Sequence, residues 1–582
     1  MKQLRWVFAL ATLLFGVVVT LFFALVYPHH LHFQEQYQLF LFEQSYIYNV
    51  LSMPGGLADL AGRFLTQFFL FAWVGATLIA LVMICVQQLS YRLLRVSAYE
   101  FLPYALSFIP AVLCCCFLCD ENALMSAPIA LLIVLASALC VRIISTDVAR
   151  QISAVISIPV VYLLAGAFAL PYAVILVIEE VRRERSLRVL SVALAMLVVA
   201  LAIPAAWHHI VSCSLTQLYA GPHYFRIPEE FPRWAWASAC VLPILLLLPV
   251  KFRQWAPRRT SILFLASWLL LMLCGGATVN TLQSQRQENI MAYDFMARNA
   301  LWNRIIQKAQ KQAPKNQVAA VALNLAMSER GMLLDHMFEY PQNGIAGLLP
   351  NFESDCVSPL ATSEAFYRLG MINTAQRFVF EAQEAIPDFQ KSARCYKRLA
   401  ETNLINGAYE VARKYLVALQ HTLFYRSWAD ETLALITEDA AVESHPEYGT
   451  LRNMKCDQDY FFGGNALHEI LVRQLEANPQ NRKAFEYLEA ACLLAKDVER
   501  VAQYYSFAES VGYQNLPVAI QQALLIKWSQ EHSEREPLPG YFQPEMVQNF
   551  RNFAAAVQMS NGNRSAVQKR FGNTYWSYLY FH

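Results

Sequence analysis

A chain of 582 residues is long enough for several domains, and 56% of it is hydrophobic with a mean hydropathy of +0.31, above the roughly 45–50% apolar usage of soluble proteins. A net charge of +2, with no basic cluster to track a phosphate backbone, excludes nucleic-acid binding. The chain reads as a membrane protein that changes character near Thr281, where apolar segments give way to charged, amphipathic helical sequence running to His582.

Residues 6–27 form an uninterrupted apolar run behind Lys2 and Arg5, enough for the ~20 residues that cross a hydrocarbon core. Ala24-Leu25-Val26-Tyr27 offers no small-x-small cleavage site, so the run is a retained span and not a signal peptide. Further spans are expected over 66–88, 99–119, 123–141, 189–207, 234–250 and 260–280. Pro159, Gly166 and Pro171 interrupt an apolar stretch over 152–181 that is too long for one comfortable span, which predicts two short helices turning near Gly166. On that reading Lys2, Arg5, Arg92, Arg95, Arg142, Arg150, Arg182, Arg183, Arg185, Arg188, Lys251, Arg253, Arg258 and Arg259 share one side, and only Arg63, Arg226 and Arg233 fall opposite. Fourteen against three gives about nine spans, a cytoplasmic N-terminus and an external C-terminal half.

The outer loops then carry the polar residues. The first, 28–65, interleaves His29, His30, His32, Glu35, Gln36, Gln38, Glu43 and Gln44 with aromatic residues, a mixture suited to helices lying at headgroup depth. Pro54-Gly55-Gly56 breaks it before Asp59 and Arg63; Asp120 and Glu121 form a tight turn, and 208–233 adds His209, His223, Arg226, Glu229 and Glu230.

From Gln283 the periodicity is helical. Leu369-Gly370 with Ala375, Ala382 and Pro387 is similar to the second half of a tetratricopeptide unit, Asn406-Gly407 with Ala412 and Ala418 repeats the theme, and Asp497 with Ala502 and Ala508 forms a weaker copy. The expected fold class is all-α: a polytopic transmembrane domain over 1–282, a connecting helix over 283–315 and an extracytoplasmic α-solenoid over 316–582, whose groove would take a protein or glycan partner. No phosphate loop, G-x-S-x-G, H-E-x-x-H or paired CxxC places chemistry there. For Cys356, Cys395, Cys456 and Cys492, one or two disulfides and free buried thiols both fit, and the spacings match no zinc site.

The segments Phe366 to Ala375, Lys397 to Asn406, and Pro54-Gly-Gly-Leu57 with Phe64-Leu-Thr-Gln67 resemble, over essentially the whole chain, a bacterial multispanning family catalogued as domain of unknown function 6057. That resemblance implies no activity and no catalytic residues. The architecture also resembles the C-type glycosyltransferases that use polyprenyl-phosphate sugars, which implies a bacterial inner-membrane enzyme working on envelope glycans, with lipids and a polyprenyl-phosphate donor as partners. The first loop departs from that pattern, carrying Glu35-Gln36 where many such enzymes carry adjacent acidic residues. Such a transfer needs a base and cationic or metal help for the departing phosphate. Glu35 is the first choice for the base and Glu43 the second. Arg63 is the candidate for the phosphate, and Asp59, Asp120 and Glu121 for a divalent metal ion. Against these stand a solvated face for Glu35 and Glu43, an interfacial anchor for Arg63 and a plain turn for Asp120 and Glu121. A non-catalytic envelope scaffold presenting the repeats is the alternative function.

Overall fold

The computed structural model describes residues 2–95, 101–247, 257–350, 358–387, 390–456, 467–532, 536–559 and 563–581. Among them the chain is helical, with no strand and one isolated bridge between Ala123 and Phe225. Lys251, Arg253, Cys356 and the ends of the expected spans 99–119 and 234–250 lie outside the described residues. The chain divides into two compact units, the first comprising Met1–Glu288 together with Pro387–Ala393 and Ala418–Arg426, the second the remainder.

The first unit holds five stretches long and apolar enough to cross a membrane: Arg5–Val26, Ala72–Leu94, Asp147–Arg183, Leu187–Trp207 and Ile262–Leu282. Leu102–Phe117, Ser126–Arg142 and Arg233–Leu247 are shorter apolar helices. As a single helix the 37 residues of Asp147–Arg183 would hold their ends about 55 Å apart. Instead Arg150 Nε meets Glu180 Oε1 at 2.5 Å, so the chain doubles back. Helices Asp147–Ala165 and Ala169–Arg183 flank a turn at Gly166, whose φ of +75° suits a residue without a side chain. Large apolar side chains point outward along these stretches, among them Leu13, Leu81, Leu194 and Leu270.

Several polar groups inside this unit are paired with one another. Thr12 Oγ1 lies 2.6 Å from Tyr104 Oη, Gln87 Nε2 donates to Ser107 Oγ at 2.7 Å, and Tyr104 Oη donates to the carbonyl of Phe8 at 2.9 Å. These bonds tie three helices together.

In the second unit consecutive helices pair across short turns, as with Ser358–Arg368 and Ile372–Glu384. Gly370 closes that pair at φ +74°. Its amide bonds to the carbonyl of Tyr367 at 3.1 Å and that of Met371 to Phe366 at 2.9 Å, the Schellman closure that left-handed residues provide. Gly407 repeats it, and Lys496 does so at φ +60° with a side chain attached. Ala375, Ala382 and Ala412 are buried, and Ala418 and Ala502 are half-buried. Cys395, Cys456 and Cys492 carry free thiols.

Ion pairs are sequestered in this unit. Glu364, 1% exposed, accepts from Arg368 Nε at 3.1 Å and also from Arg398. Burial alone would raise its carboxyl, but the surrounding guanidinium groups hold it below the ordinary range.

Candidate functional site

The polar residues of the first unit gather where the loops 28–71, 118–126, 208–232 and 283–288 meet. Helix Pro28–Gln36 begins with a proline, which has no amide hydrogen to satisfy. The next two amides, of His29 and His30, donate to Glu288 Oε1 and Oε2 at 2.9 and 3.0 Å. A carboxylate at a helix N-terminus satisfies orphan donors and opposes the helix dipole. From His30 to Gln36 every residue of this helix is buried, so it is not a half-solvated interfacial helix. Neighbouring segments cover it: His30 Nε2 lies 2.9 Å from the carbonyl of Leu118, and Gln34 Nε2 donates to Ala123 at 2.9 Å. Burial lowers the His30 imidazole to about 4, leaving it neutral.

Glu35 is 3% exposed, and its Oε1 accepts from Tyr425 Oη at 2.9 Å. The helix stops at Gln36, and extended chain follows: the amide of Leu39 donates to Lys391 at 2.9 Å and that of Phe42 to His421 at 2.7 Å. Gln36 and Glu43 therefore do not share a helical face. Glu43 is exposed at the start of helix Gln44–Leu51 and accepts from Ser45 Oγ at 2.5 Å.

Helix Gly56–Thr66 carries the most concentrated chemistry. Asp59 and Arg63, one turn apart, make a two-pronged pair, Nε to Oδ1 at 2.9 Å and Nη2 to Oδ2 at 2.8 Å. Arg63 Nη1 reaches Tyr46 Oη at 3.5 Å, and His223 Nδ1 stands 3.7 Å from Asp59 Oδ2. Gly62 allows this close seat, because a Cβ there would sit 2.6 Å from the amide nitrogen of Ser126. Burial would raise the Asp59 carboxyl, but the Arg63 guanidinium outweighs it and holds the group below its ordinary value, hence ionised. His223 is 8% exposed, and among the described residues neither ring nitrogen has a hydrogen-bond partner.

A third group lies alongside. Asp120 sits on an exposed turn with Oδ1 accepting the Asn122 amide at 2.8 Å, and Glu121 is half-buried beside it. The Leu124 amide donates to Tyr224 at 3.1 Å and the Arg226 amide to Asn122 at 2.8 Å, joining the two loops. The Arg226 guanidinium, on a residue 6% exposed, donates to Asn122 Oδ1 at 2.9 and 2.6 Å and lies 4.3 Å from the Tyr37 ring centre. Its Nη1 makes no hydrogen bond among the described residues. Among the described residues no three His, Cys, Asp or Glu side chains converge, so Asp59, Asp120 and Glu121 do not form one cation-binding set.

One family model matches residues 2–582. The chain belongs to the DUF6057 family, a family of unknown function. No curated protein and no solved structure matches it. The family match runs through both compact units of this DUF6057 protein.

Of the residues singled out from sequence, the fold brings Asp59 and Arg63 together and adds His223. It sets Glu35 against Tyr425 and leaves Glu43 at the surface. Tyr425 and Glu288 escaped sequence reading because no local pattern marks a partner lying hundreds of residues away. The prolines and charges of 208–233 were the one signal for His223 and Arg226. Chemically, the cluster offers an imidazole beside an ionised carboxylate, able to take up a proton, and a cation with a spare donor.

Proposed function

We propose that this protein is a polytopic inner-membrane glycosyltransferase of C-type character. It would move a sugar from a polyprenyl-phosphate donor to an acceptor hydroxyl on an envelope glycan. The observation that carries the proposal is the buried Asp59–His223 pair, 3.7 Å apart, at the end of the apolar helices where the three short helices of the first loop lie. In the reaction His223 takes the acceptor proton while the acceptor oxygen bonds to the anomeric carbon. The bond from that carbon to the phosphate oxygen breaks, and its electron pair leaves with the phosphate. Asp59 stabilises the imidazolium, and Arg226 Nη1 is the donor free to meet the phosphate. Arg63 holds Asp59, and Glu35 supports the loop through Tyr425.

The orientation proposed from the basic loops is supported at the opposite end of the helices. There Arg142 Nη1 donates to the carbonyl of Leu93 at 2.8 Å and Arg183 Nη2 to the carbonyl of Arg142 at 3.0 Å, gathering basic side chains on one side. The positive-inside rule then makes that end cytoplasmic and the Asp59 end periplasmic, with nine crossings and a periplasmic repeat solenoid gripping acceptor or partner.

The test is rescue of a deletion strain with wild type, His223→Gln or Glu35→Gln, reading polyprenyl-linked sugar consumption in membranes. His223→Gln at normal protein level should reduce transfer by roughly 10²–10⁴-fold. Equal rescue by His223→Gln and wild type eliminates His223 as the base. A scaffold without chemistry is the second reading, favoured by the engagement of Glu35 by Tyr425 and of Arg63 by Asp59. Full rescue by Asp59→Asn, His223→Gln and Arg226→Gln alike would select it.

A further inference from the structure

A strip of aromatic rings runs along the surface of the first unit into the start of an apolar helix. Phe42 meets Phe64 at 6.4 Å between ring centres, Phe64 meets Phe68 at 5.6 Å, and Phe68 meets Phe424 at 5.5 Å; Phe424 then meets Phe71 at 5.4 Å. All four contacts are edge-to-face, the arrangement aromatic pairs favour. Packing does not hide the strip: Phe42 is 48% exposed, Phe71 51% and Leu423 46%. Helix Ala72–Leu94 begins immediately after Phe71, with Trp73 54% exposed and Leu81 52%. Leu423 and Phe424 belong to the segment Ala418–Arg426, far beyond the last long apolar stretch, which ends at Leu282. Basic residues flank them, Lys391 on an adjoining segment and Arg426 just beyond.

We propose that Leu423 and Phe424 insert into the lipid bilayer at headgroup depth, completing an aromatic belt with Phe42, Phe64 and Phe71. Three observations select lipid as the occupant. The strip is continuous with the outward face of an apolar helix of membrane-crossing length. Its rings are aromatic, the residue class enriched at the boundary between headgroups and hydrocarbon. Its flanks are basic, which suits anionic headgroup phosphates. The segment Ala418–Arg426 therefore acts as a membrane-contacting element although no apolar run marks it.

The proposal rests on the reading of Ala72–Leu94 as a membrane span, and the test separates the two. The full-length chain is prepared with a photoreactive benzoylphenylalanine at position 423, at position 73 or at position 413, where Arg413 is exposed and paired with Glu410. Each form that elutes with wild type is placed in vesicles of phosphatidylethanolamine and phosphatidylglycerol, irradiated, digested and examined by mass spectrometry. Lipid adducts should form at 423 and at 73 and be absent at 413. An adduct at 73 with none at 423 overturns the inserted segment alone, and so does a cross-link from 423 to protein. No adduct at either position overturns the membrane span and the insertion together.

Discussion

Tyr425 Oη donates to Glu35 Oε1 at 2.9 Å across 390 positions of sequence. Glu35 is buried, so this bond satisfies a carboxylate oxygen that water does not reach. Tyr425→Phe removes the donor and leaves the buried acceptor in place, which costs about 1–3 kcal/mol. Glu35→Gln keeps an acceptor oxygen opposite the phenol and should cost less. Thermal unfolding of the full-length protein in detergent checks the order. A Tyr425→Phe protein that melts with wild type would remove the bond from the stability of this loop.

That bond also marks how far the sequence could be read. The apolar runs and the turn at Gly166 were legible because each is a local property: hydropathy over ~20 residues, or a glycine between prolines. Gly370 and Gly407 were read as small contact residues, whereas they close turns at positive φ. The partners of the first loop were not legible. Nothing near Glu35 announces Tyr425, and nothing near His29 announces Glu288. Helix Pro28–Gln36 looks half-polar in sequence and is buried because distant segments supply its donors and acceptors. Arg63 looked available for a phosphate because it is a rare outer-side cation beside an expected span. Burial made its pair with Asp59 tight.

The Asp59–Arg63 pair yields a second expectation. Both residues are at least nine-tenths buried, and removing one member of a buried pair typically costs about 3–5 kcal/mol because the other charge is stranded. Arg63→Ala should therefore be more destabilising than Asp59→Ala combined with Arg63→Ala. The folded Asp59 carboxyl lies below its ordinary value, so its contribution is present above the unfolded value near 3.9 and is lost as pH falls through the folded one. A double-mutant cycle on melting temperature measures the coupling. Additive losses would show that the two side chains act independently.

Two turns of the second unit should respond oppositely to substitution. Gly370 has φ +74°, and an added Cβ would stand 2.7 Å from Met454 Cβ, so Gly370→Ala should destabilise by about 1–2 kcal/mol from backbone strain alone. Lys496 occupies the corresponding left-handed position at φ +60°, so Lys496→Gly should stabilise by up to about 1 kcal/mol. Chemical unfolding monitored by circular dichroism reads both, and a destabilised Lys496→Gly protein would contradict the turn geometry.

Glu489 supplies the last expectation. It lies on helix Arg482–Leu494, fully buried, and among the described residues neither carboxyl oxygen has a hydrogen-bond partner. One turn earlier Glu486 is as deeply placed but accepts from Ser328 Oγ at 2.8 Å, Arg482 Nε at 2.9 Å and Tyr513 Oη at 2.7 Å. Burial pushes the Glu489 carboxyl well above the ordinary carboxylate range, so it is carried protonated where a solvated glutamate is ionised. With the folded value above the unfolded one, its contribution to stability is fully present below about 4.3 and is lost as pH rises toward the folded value. Glu489→Met fills a similar volume without a proton to lose, so its melting temperature should exceed that of wild type at neutral pH. The gap should widen from about pH 5 upward, at no more than about 1.4 kcal/mol per pH unit. Glu489→Gln should flatten the same pH dependence while remaining less stable than Glu489→Met, because its amide still lacks partners. Melting curves of the full-length protein between about pH 5 and 8 decide the matter. Parallel curves for wild type and Glu489→Met would show that Glu489 is ionised in the folded protein.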